Sequence, residues 1–71
     1  MQELRREEIK ISEGFTIPIT LNSDTEADGL FYFVEIDHVR WFITINRTHA
    51  IVLFEMMKDH ITEYMHYEKI K

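Results

Sequence analysis

Four carboxylates pose the first chemical question in this chain of 71 residues. Asp24, Glu26 and Asp28 fall on alternate positions, Gly29 follows, and Glu35 comes six residues later. Oxygen donors spaced this way can surround a hard divalent cation, which takes roughly six to eight oxygens. On an extended segment, alternate side chains stand ~6.7 Å apart. Such a row of carboxylates could also imitate a phosphate backbone. Glu63 and His66 are three apart in a helical stretch and could share a metal. Dinuclear carboxylate sites need such pairs from several helices, and this chain offers one. His60 with Glu63 is equally generic, and His38 and His49 have no partner at ligand spacing. No metal centre is therefore expected. Nucleophilic chemistry finds no support: there is no Cys, and Ser12 and Ser23 lie in polar stretches without an adjacent His. A water-excluding pocket of ~300 Å³ or more is hard to build from so short a chain. The expectation is a protein that is not an enzyme and holds no cofactor.

The run Asp24-Thr25-Glu26-Ala27-Asp28-Gly29, continued to Glu35, resembles the EF-hand calcium loop. The match is to ligand types at positions 1, 3 and 5, Gly at 6 and Glu at 12. It covers 12 of the 71 residues. The resemblance implies calcium held by Asp24, Glu26, Asp28 and Glu35. Glu26 departs from it, because the third position normally carries Asp or Asn. The flanks depart further: an EF-hand needs helices on both sides, and here both sides alternate like strands, with Pro18 in the entering segment. Calcium binding stands as the alternative to a solvated acidic turn.

Composition bounds the rest. The chain is 45% hydrophobic and 30% charged, which suits one small domain over residues 1–71 and is too apolar for intrinsic disorder. No apolar run nears the ~18 residues needed to span a bilayer, so no membrane partner is expected. The start of the sequence, Met1 to Glu8, has no apolar stretch typical of a secretory signal, and no cysteine offers a disulfide. A cytoplasmic location follows as the expectation. Nine acids against four bases give residues 1–46 a charge of −5, while residues 47–71 balance at four of each. An acidic surface repels phosphate, so direct nucleic-acid binding is not expected. A basic surface on another protein would suit it.

The elements follow from periodicity. The odd positions from Ile9 to Leu21 are mostly apolar and the even positions mostly polar, which reads as a half-buried strand. Pro18 removes a ladder donor and argues for an edge strand. Glu13-Gly14 reads either as a bulge or as a tight hairpin turn. A hairpin there would put Ile9 and Ile11 on the opposite sheet face from Ile17 and Ile19. Asn22 to Gly29 reads as a turn-rich acidic loop. Leu30 to Asn46 is β-rich and splits near Asp37-His38, a poor two-residue turn that suggests a longer loop. One register pairs Ile36 with Val39, Val34 with Trp41, Tyr32 with Ile43 and Leu30 with Ile45. It also sets Glu35 opposite Arg40 and Phe33 opposite Phe42, two favourable cross-strand pairs. From Thr48, a plausible N-cap, the pattern is helical: Ala50, Phe54, Met57, Ile61 and Tyr64 form one apolar stripe, widened by Leu53 and Met65. A helix of this length would run ~36 Å, against ~27 Å for an eight-residue strand. Tyr64, Met65, Tyr67 and Ile70 would then overhang, fraying or packing on another subunit.

The fold class is thus α+β: a small antiparallel meander of three strands, or four with a short N-terminal one, packed on one C-terminal helix. The helix can cover only one sheet face. Ile17, Ile19, Leu21, Tyr32, Val34, Ile36, Trp41, Ile43 and Ile45 belong on it. The other face then shows Phe31, Phe33 and Phe42, flanked by Glu35 and Arg40. Three phenylalanines rimmed by charge have the anatomy of a protein interface. The alternative is that Ile9 and Ile11, or the segment carrying Leu4, fold over them. The functional expectation is a protein-binding module acting as an inhibitor, adaptor or subunit. Its candidate contacts are Phe31, Phe33, Phe42, Glu35, Arg40, Asp24, Glu26 and Asp28. Homodimerisation is the commonest form of such an interface, and a structural homo-oligomer held by the overhanging helix end and the edge strand after Asp37 is a further alternative.

Overall fold

The computed structural model describes the backbone of residues 1–27 and 29–70, with side chains through Glu63. The chain is α+β. Strands β1 (Gln2–Ser12), β2 (Phe15–Glu26), β3 (Gly29–Ile36) and β4 (Val39–Thr44) form one antiparallel sheet in the order β1-β2-β3-β4, and helix α1 (Arg47–Ile70) follows. The core lies between α1 and one sheet face. It is built from Ile9, Ile19, Leu21, Tyr32, Val34, Ala50 and Phe54. Leu53, Met57 and Ile61 pack beside it, so the expected apolar stripe of the helix is the buried one. Tyr64, Met65, His66, Tyr67 and Ile70 have side chains outside the described residues.

The N-terminal strand is not short: β1 runs eleven residues along β2. Its sequence is dominated by charge because it is an edge, where Arg6, Glu8 and Lys10 can face water. The turn at Glu13-Gly14 is a hairpin, with Ser12 opposite Phe15 and Gly14 at φ 79°. The face swap expected for such a hairpin does not occur. A bulge between Lys10 and Ser12 resets the register, so Ile9 lies opposite Ile17 and joins the helix-side core. A second bulge between Glu3 and Arg5 does the same for Leu4. Hence neither Leu4 nor Ile9 and Ile11 cover the other sheet face.

Pro18 does not mark an edge strand, because β2 lies between β1 and β3. It sits one residue beyond the last β2–β3 pair, Ile19 with Ile36. Its carbonyl accepts a hydrogen bond from the Asp37 amide at 2.9 Å. The nitrogen of a strand residue points to the same side as its carbonyl, so the missing donor faces the β3–β4 turn, where the ladder has already ended. The expected loop at Asn22–Gly29 is likewise mostly strand. Asn22 and Thr20 are buried, and the Asn22 side-chain amide donates to the Thr20 hydroxyl at 2.8 Å. Each satisfies the other, which lets polar residues occupy a central strand.

The β3–β4 connection is tight rather than long. Asp37 (φ 51°) and His38 (φ 68°) both adopt left-handed backbone between the paired Ile36 and Val39, the geometry of a type I′ turn. Asp and His are among the non-glycine residues that tolerate this region. The helix begins at Arg47, one residue before the expected Thr48. Its N-cap is Asn46, whose side-chain oxygen accepts from the His49 amide at 2.9 Å.

Candidate functional site: the outer edge of β4

The expected β3–β4 register holds for Ile36–Val39, Glu35–Arg40 and Val34–Trp41 and then breaks. Tyr32 lies opposite Thr44, not Ile43, because β4 carries one extra residue between Trp41 and Thr44. The break centres on Phe42, which takes φ 52°. Left-handed backbone costs a bulky residue about 1–2 kcal/mol. The bulge removes Phe42 from its expected place opposite Phe33 and brings its ring within 6.4 Å of the Trp41 ring centroid. Thr44 takes the helix-facing position expected for Ile43.

The aromatic face is therefore only partly what the alternation implies. Phe33 is on the face that α1 leaves uncovered, yet it is 0% exposed. The Arg40 guanidinium stacks over its ring at 3.8 Å, and the Phe31 ring lies 5.9 Å away. Glu35 is opposite Arg40 in register, but the guanidinium turns to the phenylalanine instead of forming an ion pair with it. Structure thus brings together Phe31, Phe33 and Arg40, with Glu35 beside them, and separates Phe42 from the group. Asp24 is partly buried and accepts from the Thr25 amide at 2.9 Å. That hydrogen bond holds its carboxyl below the usual carboxylate range, with the Met1 amino group assisting. Glu26 is exposed at the end of β2, and Asp28 is outside the described residues. Asp24 and Glu35 lie on paired strands of a hairpin, not on a loop between helices. Among the described residues, no three His, Asp or Glu side chains lie close enough to hold a metal ion.

A concavity of about 190 Å³ opens on the same uncovered face, lined by Glu3, Arg6, Thr20, Asn22, Glu35 and His38 among others. Its cation is already engaged: Arg6 donates to Glu3 at 2.9 Å and to Glu8 at 3.1 Å. These carboxylates, Glu3 first, raise the Arg6 pKa further.

The exposed apolar surface lies elsewhere. Val39, Trp41, Phe42, Ile43 and Ile45 all project into solvent, Trp41 at 49%, Ile43 at 63% and Ile45 at 85%. Trp41, Ile43 and Ile45 were expected in the core, and their exposure corrects that assignment. The reason is where the helix lies. Its buried residues pack on β1, β2 and β3, and no β4 residue belongs to the core cluster. As the last strand, β4 has one edge without a neighbour. The local charge differs from that of the rest of the chain. From His38 to Phe54 there is no acid, although the chain has thirteen, and Arg40 and Arg47 are the charged residues of that run. A sequence signal for this edge existed: Trp41, Phe42 and Ile43 are three apolar residues in a row, which breaks the two-residue alternation of a half-buried strand.

No family model, curated protein or solved structure matches the chain.

Proposed function

We propose that this chain is a small protein-binding module, working as an inhibitor, adaptor or subunit rather than as an enzyme, and that its partner docks along the outer edge of β4. One observation carries the reading: Val39, Trp41, Phe42 and Ile43 on the edge strand β4, with Ile45 just beyond it, are exposed, and no β4 residue belongs to the core under the helix. Patches of this kind on a small protein mark interaction surfaces. The backbone of Phe42 supports it. A strained, left-handed conformation retained by an exposed aromatic residue fits a position kept for what its side chain contacts. Phe31 and Arg40 flank the edge on the uncovered face and extend the contact. The net charge of −5 favours a protein over a nucleic acid as the partner. A chain without cysteine is at home in the reducing cytoplasm, where we place its action. The occupant is a protein, a second copy of this chain included.

The test compares wild type with Ile43→Lys and, as a control on the other edge, Glu8→Lys. Circular dichroism establishes that each variant folds. The reading expects a protein bound stoichiometrically by wild type and Glu8→Lys and lost with Ile43→Lys. A partner retained by Ile43→Lys would remove the β4 edge from the reading.

A further inference from the structure

Resting on the docking edge proposed above, we infer that its occupant is a second copy of this chain, with the two β4 strands antiparallel about a two-fold axis. Three observations carry this. The first is charge. Two copies of a chain at −5 repel one another, and they can meet without apposing carboxylates only where carboxylates are missing. The acid-free run from His38 to Phe54 contains the whole of β4. Its one charged strand residue, Arg40, is folded back over Phe33 rather than extended from the edge.

The second is self-complementarity. An isologous interface needs a patch that fits itself. An antiparallel strand pair does so by symmetry, and the β4 side chains to be covered are apolar on both copies. Exposure of Trp41 at 49%, Ile43 at 63% and Ile45 at 85% leaves apolar surface on each copy for the other to cover.

The third is closure. The other edge of the sheet, β1, carries the charged run Arg5, Arg6, Glu7, Glu8 and Lys10, whereas β4 carries one charge, Arg40. Charged side chains along an edge are a device that stops strand addition. A sheet with one receptive edge pairs once and stops, giving a dimer rather than a filament. Antiparallel strands require the two-fold axis to stand perpendicular to the sheet, so the product is an eight-stranded sheet with both helices on the same side.

The chain has no cysteine, so a single introduced thiol reports on its own symmetry mate alone. Sedimentation and light scattering of wild type from micromolar to near-millimolar concentration are expected to give twice the protomer mass, and Ile43→Lys half of that with unchanged circular dichroism. Val39→Cys, Trp41→Cys and Ile43→Cys, each made singly and oxidised mildly, are expected to give a covalent dimer at the position nearest the two-fold axis, and Glu8→Cys none. A disulfide forms only when the two Cα atoms come within about 7 Å. Wild type at protomer mass throughout would overturn the second copy. If Ile43→Lys still abolishes binding of a foreign protein in that case, the docking edge stands with another occupant. If Ile43→Lys changes neither mass nor binding, both are overturned.

Discussion

The guanidinium carbon of Arg40 sits 3.8 Å from the centroid of the Phe33 ring, on the sheet face that no helix covers. This contact explains how a phenylalanine can be fully buried on an open face. Arg40 supplies the roof with its own stem and planar head, and a cation over an aromatic face is attracted by the ring's quadrupole. Removing the roof should therefore do two things. Arg40→Ala is expected to lower stability by about 1–2 kcal/mol, read from urea unfolding, and to raise binding of a hydrophobic dye. Arg40→Lys should fall between the two, because an ammonium lacks the stacking plane. An Arg40→Ala protein of unchanged stability and dye binding would show that other groups bury Phe33.

His38 holds left-handed backbone at the second central position of the β3–β4 turn. Glycine reaches that region without the Cβ penalty. His38→Gly is expected to stabilise the fold by about 1 kcal/mol, observed as a higher urea midpoint at constant slope. Destabilisation would mean that the imidazole makes a contact worth more than the strain.

At the start of α1, the Asn46 side chain caps the His49 amide. Asn46→Ala leaves that donor unpaired and should cost about 1 kcal/mol, whereas Asn46→Asp should cost little or nothing. Equal losses from Asn46→Ala and Thr48→Ala would show that the cap is shared rather than held by Asn46.

Glu55 bridges Lys58 on its own helix and Arg5 on β1. Lys58 first, and then Arg5, pull its carboxyl below the ordinary carboxylate value, and Lys58 is raised in return. A carboxyl depressed in the folded state binds a proton more readily when unfolded. Its contribution is thus complete above the unfolded pKa and is lost as pH falls through the folded one. Glu55→Gln should therefore be less stable than wild type at neutral pH, with the gap closing as the solution is acidified through the carboxylate range. A gap independent of pH would assign the effect to packing instead of charge.

Much of the fold is legible in residue order. Alternation from Ile17 to Leu21 and from Tyr32 to Ile36 places the strand core, and the spacing of Ala50, Phe54, Met57 and Ile61 places the helix face. What the pattern does not carry is the extra residue. Bulges near Leu4, Ile11 and Phe42 each reset the two-residue period, and nothing in those side chains announces it. Phe42 in particular is a residue that local preference would keep out of left-handed backbone. β1 is hidden for another reason: an edge strand with polar residues on its outer face needs little apolar alternation. The buried Thr20 and Asn22 mislead in the opposite sense, since their mutual hydrogen bond is invisible until the strand is formed. The candidate contacts divide accordingly. Phe31, Phe33, Glu35 and Arg40 cluster because their register is read correctly up to Trp41. Phe42 leaves them at the point where the register fails.

Strand order equals chain order, and that simple arrangement governs how the molecule assembles. Each hairpin closes across a turn of two residues or so, which costs little loop entropy, so the sheet can zip from any of its three turns without waiting for distant segments. Only one event joins the far parts of the chain: α1 must swing back until Arg5 meets Glu55 and lies over the Phe54 ring. Without α1 the apolar sheet face has no cover. Docking of α1 over β1, β2 and β3 is therefore what closes that face to other molecules, with Phe54 fully buried beneath it.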